Sequence, residues 1–122
     1  MDGPRRPKPV EWVGSSYRDL CAMPNRVRGV FGFAIYLAQL GMQHGHARPM
    51  KGFGGARVIE VVASDVGGTY RAVYTVQFAD ALYVLHAFQK KSKSGIATPM
   101  EEIELIRKRL KIATEHYERR KP

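Results

Sequence analysis

The chain has 122 residues, 44% of them hydrophobic, which predicts one domain with a real core. No run approaches the roughly 18 apolar residues of a membrane span, and the opening MDGPRRPKPV has no apolar stretch behind its charges, so no secretory signal is expected and the cytoplasm is the expected compartment. A single cysteine, Cys21, excludes an intramolecular disulfide and a cysteine-built metal site, and a net charge of +9 is the footprint of a nucleic-acid binder.

The charge is unevenly placed. Residues 1–9 carry +2, and residues 107–122 carry +5, seven Lys/Arg less two Glu. Residues 48–93 hold Arg48, Lys51, Arg57, Arg71, Lys90, Lys91 and Lys93 against Glu60, Asp65 and Asp80, and three glutamates follow in 94–106. There is a basic centre as well as basic ends.

In chain order, residues 1–8 read as a flexible basic tail. Pro9–Val13 alternates as a short strand, and Ser15 or Ser16 can cap the helix that follows, because a serine oxygen accepts from the open N–H groups of a first turn. That helix is expected to reach Met23 with Tyr17, Leu20 and Cys21 buried. Pro24 then opens a second helix to Leu40, whose Val27, Val30, Phe31, Ala34, Leu37 and Ala38 recur at helical spacing. Gly41–Gly55, with five glycines and a proline, predicts a loop. His44 and His46 within it have no neighbouring carboxylate or cysteine, so a solvated loop is preferred to a metal site.

Three strands follow, at Ala56–Ala63, Thr69–Val76 and Leu82–Gln89. Strict alternation puts Val84, His86 and Phe88 on one face of the last strand and Tyr83, Leu85 and Ala87 on the other. Thr98-Pro99-Met100-Glu101 predicts the start of a final helix, with Thr98 as its cap and Glu101 in capping-box position. The expected fold is α+β, a small antiparallel sheet in the order β-α-α-β-β-β-α, with helices on one face and the other face open.

The last two strands read as a hairpin. Its geometry brings Arg71, near the start of one strand, to Lys90, Lys91 and Lys93, at and beyond the end of the next. There is no Walker loop, HExxH, nucleophile elbow or cysteine–histidine zinc spacing, so no cofactor and no metal are expected.

Metal-free RNA cleavage needs less. A 2′-hydroxyl must lose a proton, a phosphorane must be stabilised, and the leaving oxygen must gain a proton. Arg71 suits the second task, because a guanidinium holds two phosphate oxygens at once. Lys90 and Lys91 add charge, and one of them could act as acid. His86 titrates in the right range, and Glu60 could be a base. Each has a structural reading too: His86 as a hydrogen-bonded strand residue, Glu60 as the partner of Arg71 or a lysine, the lysines as a solvated loop. Arg48, Lys51, Arg57 and Lys93 are candidate RNA-contacting cations.

Three segments carry a resemblance: Gly68-Thr69-Tyr70-Arg71-Ala72-Val73-Tyr74, then Leu82-Tyr83-Val84-Leu85-His86-Ala87-Phe88-Gln89-Lys90-Lys91, then Thr98-Pro99 opening a helix with Glu101, Glu102, Ile103, Glu104 and Arg107. Together with Lys51-Gly52-Phe53 and the strand of Glu60, they resemble the phage-derived, HigB-like branch of the RelE/ParE toxin superfamily over residues 9–114. Residues 115–122 are then a basic helix end and tail.

The resemblance implies the toxin of a type II toxin–antitoxin pair that cleaves mRNA on the ribosome without a metal. It implies as partner a helix-turn-helix, HigA-like antitoxin. Arg71 matches the arginine that contacts the scissile phosphate. Lys90, Lys91 and Lys93 match the basic segment after the last strand, and Glu60 matches a glutamate common in the branch. Val62 stands where the branch commonly has an arginine. Two alternatives follow: a non-enzymatic ParE-like gyrase poison, and an inactive prophage-derived relic that only binds its antitoxin.

Overall fold

The computed structural model describes residues 6–90 and 97–120. The elements are β1 (Val10–Trp12), α1 (Ser16–Cys21), α2 (Asn25–Gln39), β2 (Ala47–Pro49), a 3-10 turn at Gly54–Ala56, β3 (Val58–Asp65), β4 (Gly68–Thr75), β5 (Leu82–Lys90) and α3 (Met100–Arg120). The α+β class and the expected order hold, with β2 added inside the glycine-rich loop. Three residues leave little pattern to read, and Pro49 is tolerated there because β2 is an edge strand.

The five strands form one sheet in the order β1-β5-β4-β3-β2. The sheet is mixed rather than antiparallel: β1 lies parallel to β5, with Val10 opposite Leu82 and Trp12 opposite Val84. β5 is therefore a central strand. The strands β3 and β4 turn through Val66-Gly67, with Asp65 opposite Gly68.

Helices cover both faces, which corrects the expectation of one open face. On the first face Val27, Phe31, Ala34 and Ala38 of α2 and Leu20 of α1 pack on Ile59, Val61, Ala72, Tyr74, Val84 and Ala87. On the second, Ile106, Ala113 and Tyr117 of α3 pack on Val58, Val73, Tyr83, Leu85 and Phe88. The reason is in the strands. Central strands apolar on both sides must be covered on both sides, and all but Gln89 of β5 is buried.

Two local expectations also change. Tyr17 and Cys21 are exposed; α1 buries Leu20 as expected, and with it Ser16, whose hydroxyl donates to the Val84 carbonyl at 3.2 Å. The register of β5 slips between the partners of Val73 and Tyr74, which are His86 and Val84. Leu85 is the extra residue of a β-bulge, so Leu85 joins Tyr83 and Phe88 in the α3-side core while Val84 and Ala87 join the α2 side. Strict alternation fails there because two successive residues serve one face.

Toward its C-terminus α3 is held by aromatic contacts. The Phe78 and Tyr117 rings stack at 4.4 Å, and Tyr117 donates to Asp80 Oδ2 at 3.1 Å. At the other end of the chain Lys8 donates to the Phe78 carbonyl at 3.1 Å. No helix among the described residues is long and apolar enough to cross a membrane.

Candidate functional site

The register sorts the polar side chains of the sheet's α3 face into rows. Arg48, Glu60, Val73 and His86 are opposite one another across β2, β3, β4 and β5. The next row is Val62, Arg71 and Phe88, and the third is Ser64, Thr69 and Lys90. Rows two residues apart along a strand are about 7 Å apart. Arg71 and Lys90 thus occupy the same face and the same end of the sheet, as the hairpin geometry required.

Glu60 and Arg71 lie diagonally and close on each other. Arg71 Nη1 donates to Glu60 Oε1 at 3.0 Å, with both side chains largely buried, 7% and 13% exposed. Thr98 completes the cluster: its hydroxyl donates to Glu60 Oε2 at 2.7 Å and accepts from Arg71 Nη1 at 3.3 Å. Thr98 therefore does not cap α3 as its sequence suggested. The Pro99 carbonyl accepts the first helical bond, from Ile103, and Met100 is the first helical residue. The serine hydroxyls before α1 behave alike: Ser15 gives its proton to Asp19 Oδ2 at 2.7 Å and makes no backbone cap.

A second cluster lies one row position away. His86 Nε2 is 2.7 Å from Glu102 Oε1, Arg109 Nη1 is 3.3 Å from His86 Nδ1, and the imidazole stacks on Phe88 at 4.6 Å. A guanidinium can only donate. His86 Nδ1 must then accept, so Nε2 carries the proton and donates to Glu102. Electrostatics favours the neutral form as well. Burial is the largest influence and pushes the His86 pKa below its ordinary value; the nearby Arg109 charge adds to this, against the upward pull of Glu102 and Asp19.

Unfolded, His86 takes a proton near pH 6.5, while folded it resists until lower pH. The unfolded state binds more protons in that interval, so stability falls as pH drops below about 6.5 and is unaffected above it. Urea unfolding at pH 7.5 and 5.5 is expected to show this loss, and His86→Gln is expected to lose less on acidification. Equal losses in the two proteins would exclude His86 as the source.

The remaining cations are placed as follows. Lys90 is 93% buried at the end of β5. Arg48 is exposed on β2 and donates to the Gly45 and Ala47 carbonyls. Lys51 is exposed in the loop after β2. Arg57 is exposed with φ +50, a left-handed backbone uncommon outside glycine, and lines a cavity of about 190 Å³ with Tyr74 and Ala38 on the α2 side. It is thus apart from the Glu60–Arg71 pair. Lys91 and Lys93 lie outside the described residues. His44 and His46 share a loop, with the His46 N–H donating to His44 Nδ1, and no group of three metal-ligating side chains occurs among the described residues.

Sequence reasoning missed three participants. Thr98, Glu102 and Arg109 looked like ordinary helix-start and helix-end residues. Their partners are 16 to 38 residues away in the chain, and nothing local signals such pairs. Val62, the departure noted above, stands directly opposite Arg71 on the same face.

What the arrangement can do is limited by its closure. It holds a guanidinium, a carboxylate and a lysine on one face at one end of the sheet. The imidazole nearby is engaged at both nitrogens. Such a set can bind a phosphate and exchange a proton once the Arg71–Glu60 pair opens.

No curated protein matches the chain. The family model described as "Phage derived protein Gp49-like (DUF891)" matches residues 18–111. That span runs from within α1 to the middle of α3 and takes in Glu60, Arg71, Thr98, His86, Glu102 and Arg109. The chain belongs to this Gp49-like, phage-derived family, a RelE-type, toxin-like family of toxin–antitoxin systems.

Proposed function

We propose that this protein is the toxin of a toxin–antitoxin pair and acts as a metal-independent endoribonuclease on ribosome-bound mRNA. The observation that carries the reading is the Glu60–Arg71 pair with Lys90 on the same face, within a family of toxin type. A substrate phosphate competes with Glu60 for the Arg71 guanidinium. Its arrival frees the Glu60 carboxylate, which takes the proton from the 2′-hydroxyl. The 2′-oxygen bonds to phosphorus and the bond to the 5′-oxygen breaks. Arg71 stabilises the crowded dianionic phosphorus, and an ammonium, from Lys90 or Lys91, returns a proton to the leaving oxygen. Lys91 and Lys93, next in the sequence, serve as further RNA-contacting cations, with Arg48 and Lys51 at the β2 side. His86 acts by holding α3 to β5.

The products are a 2′,3′-cyclic phosphate and a 5′-hydroxyl. Added to a translation reaction, the protein is expected to cut mRNA and leave 5′-hydroxyl ends, detectable because they accept phosphate from polynucleotide kinase without prior phosphatase. Intact mRNA together with inhibited gyrase supercoiling would replace this reading with the gyrase-poison one. The partner expected to silence the activity is a helix-turn-helix, HigA-like antitoxin.

A further inference from the structure

A groove of about 490 Å³ runs between the glycine-rich loop after β2 and the middle of α3. Its floor is built around one cation–π pair. The Arg107 guanidinium carbon lies 4.7 Å from the centre of the Phe53 ring, and Arg107 Nη1 donates to the Gly52 carbonyl at 2.8 Å. Gly52 has φ +88, a backbone that L side chains rarely adopt, so the turn of the loop onto the arginine suits glycine. Phe53 is buried beneath, while Arg107 remains exposed. Leu110 and Lys111 continue the wall one turn on.

The lining holds two cations, an apolar wall and no carboxylate. Lys51, exposed, adjoins it in sequence. A guanidinium placed over a ring leaves its other face to a further flat, π-bearing group, and the flanking ammonium groups suit a phosphate. An acidic peptide would use the charges but not the flat face; a single-stranded nucleotide uses both.

We propose that the groove is a nucleotide subsite in which a base of single-stranded RNA stacks on the outer face of Arg107, itself seated on Phe53, with Lys111 and Lys51 contacting the flanking phosphates. The proposal rests on the ribonuclease reading and adds to it a binding position away from the bond being cut.

The test uses the full chain and a fluorescent hexaribonucleotide with 2′-O-methyl groups, which cannot be cleaved by 2′-oxygen attack. Anisotropy titrations compare wild type, Arg107→Ala and Arg107→Lys. Arg107→Ala is expected to weaken binding by about five- to one-hundred-fold, the range for one stacked base. Arg107→Lys, which keeps the charge and loses the plane, is expected to recover little of it. Thermal melts confirm that each variant is folded. Unchanged affinity in Arg107→Ala would overturn the proposal, as would full recovery in Arg107→Lys, and so would unchanged RNA affinity with weakened antitoxin binding. The two readings separate cleanly. Arg107-dependent oligonucleotide binding by a protein that cuts no mRNA sinks the ribonuclease and keeps the subsite. Cleavage with Arg107-independent affinity does the reverse.

Discussion

Arg71→Ala is expected to lower mRNA cleavage by at least about a hundred-fold, the usual loss when one preorganised donor to a charged transition state is removed. It is also expected to cost about 3–5 kcal/mol of stability, because Glu60 is left charged and unmatched in a site where both partners are largely buried. Activity and folding would then fall together, and neither loss could be read alone. The double variant Glu60→Leu/Arg71→Leu separates them. Replacing both members of a buried ion pair by apolar side chains is often neutral or stabilising, so this protein is expected to unfold at a denaturant concentration near that of wild type. It is nevertheless expected to remain unable to cut RNA. Single-turnover cleavage and urea unfolding on the same three samples decide the matter. A folded double variant that still cleaves would remove both residues from the chemistry.

The second large effect is expected at Arg109, where no chemistry is assigned. Its guanidinium reaches three places at once: the Leu85 carbonyl at 3.0 Å, His86 Nδ1 at 3.3 Å and Ser15 Oγ at 3.2 Å. It therefore ties α3 to the bulge of β5 and to the start of α1. Hydrogen bonds to a charged group contribute about 1.5–3 kcal/mol each, and they are not additive. Arg109→Met, which keeps the aliphatic stem, is expected to cost about 3 kcal/mol overall and to lower Tm by roughly 10 °C. Lys108→Met, on the exposed side of the same turn, is expected to stay within about 0.5 kcal/mol of wild type. Calorimetry on the two variants checks the contrast, and equal losses would show that α3 is held by its apolar stripe alone. Gly14 belongs to the same joint, with φ +56 and space for no Cβ, since one would meet Arg109 Nε at 2.9 Å.

Much of the fold could be read from the sequence because its main elements carry long, regular patterns. The strands β3, β4 and β5 and the helices α2 and α3 fall within a few residues of where periodicity put them. What escaped has physical reasons. β2 is too short for a period and sits among glycines. The bulge at Leu85 leaves no composition signal, because Leu and His alternate there as in any strand, and only pairing with Val73 and Tyr74 reveals the slip. The covered second face was legible in principle: Tyr83, Leu85 and Phe88 are as apolar as the other side.

For the site, Arg71 near Lys90 followed from hairpin geometry alone. The pairing of Glu60 with Arg71 was one of two readings of that glutamate, and it is the arrangement found. The roles of Thr98, Glu102 and Arg109 could not be read, since a helix start looks the same whether its threonine caps the helix or reaches across to a sheet. Val62 has a plain electrostatic correlate. An arginine there would stand directly across from Arg71, and like charges directly opposite each other destabilise a sheet.

The place of β5 between β1 and β4 also governs when the molecule comes into being. The strand is the last of the five to be synthesised, yet both β1 and β4 depend on it. Val10 must wait for Leu82, and the second face of the sheet for α3, later still. At about 5–20 residues per second, a ribosome needs several seconds to make that interval. Until then the growing chain has an unpaired first strand, an open edge on β4 and no cover over Glu60 and Arg71. A chain aborted before residue 82 is therefore expected to be inert debris for proteases rather than a weakened form of the protein, and any antitoxin translated alongside has those seconds to accumulate before its target exists.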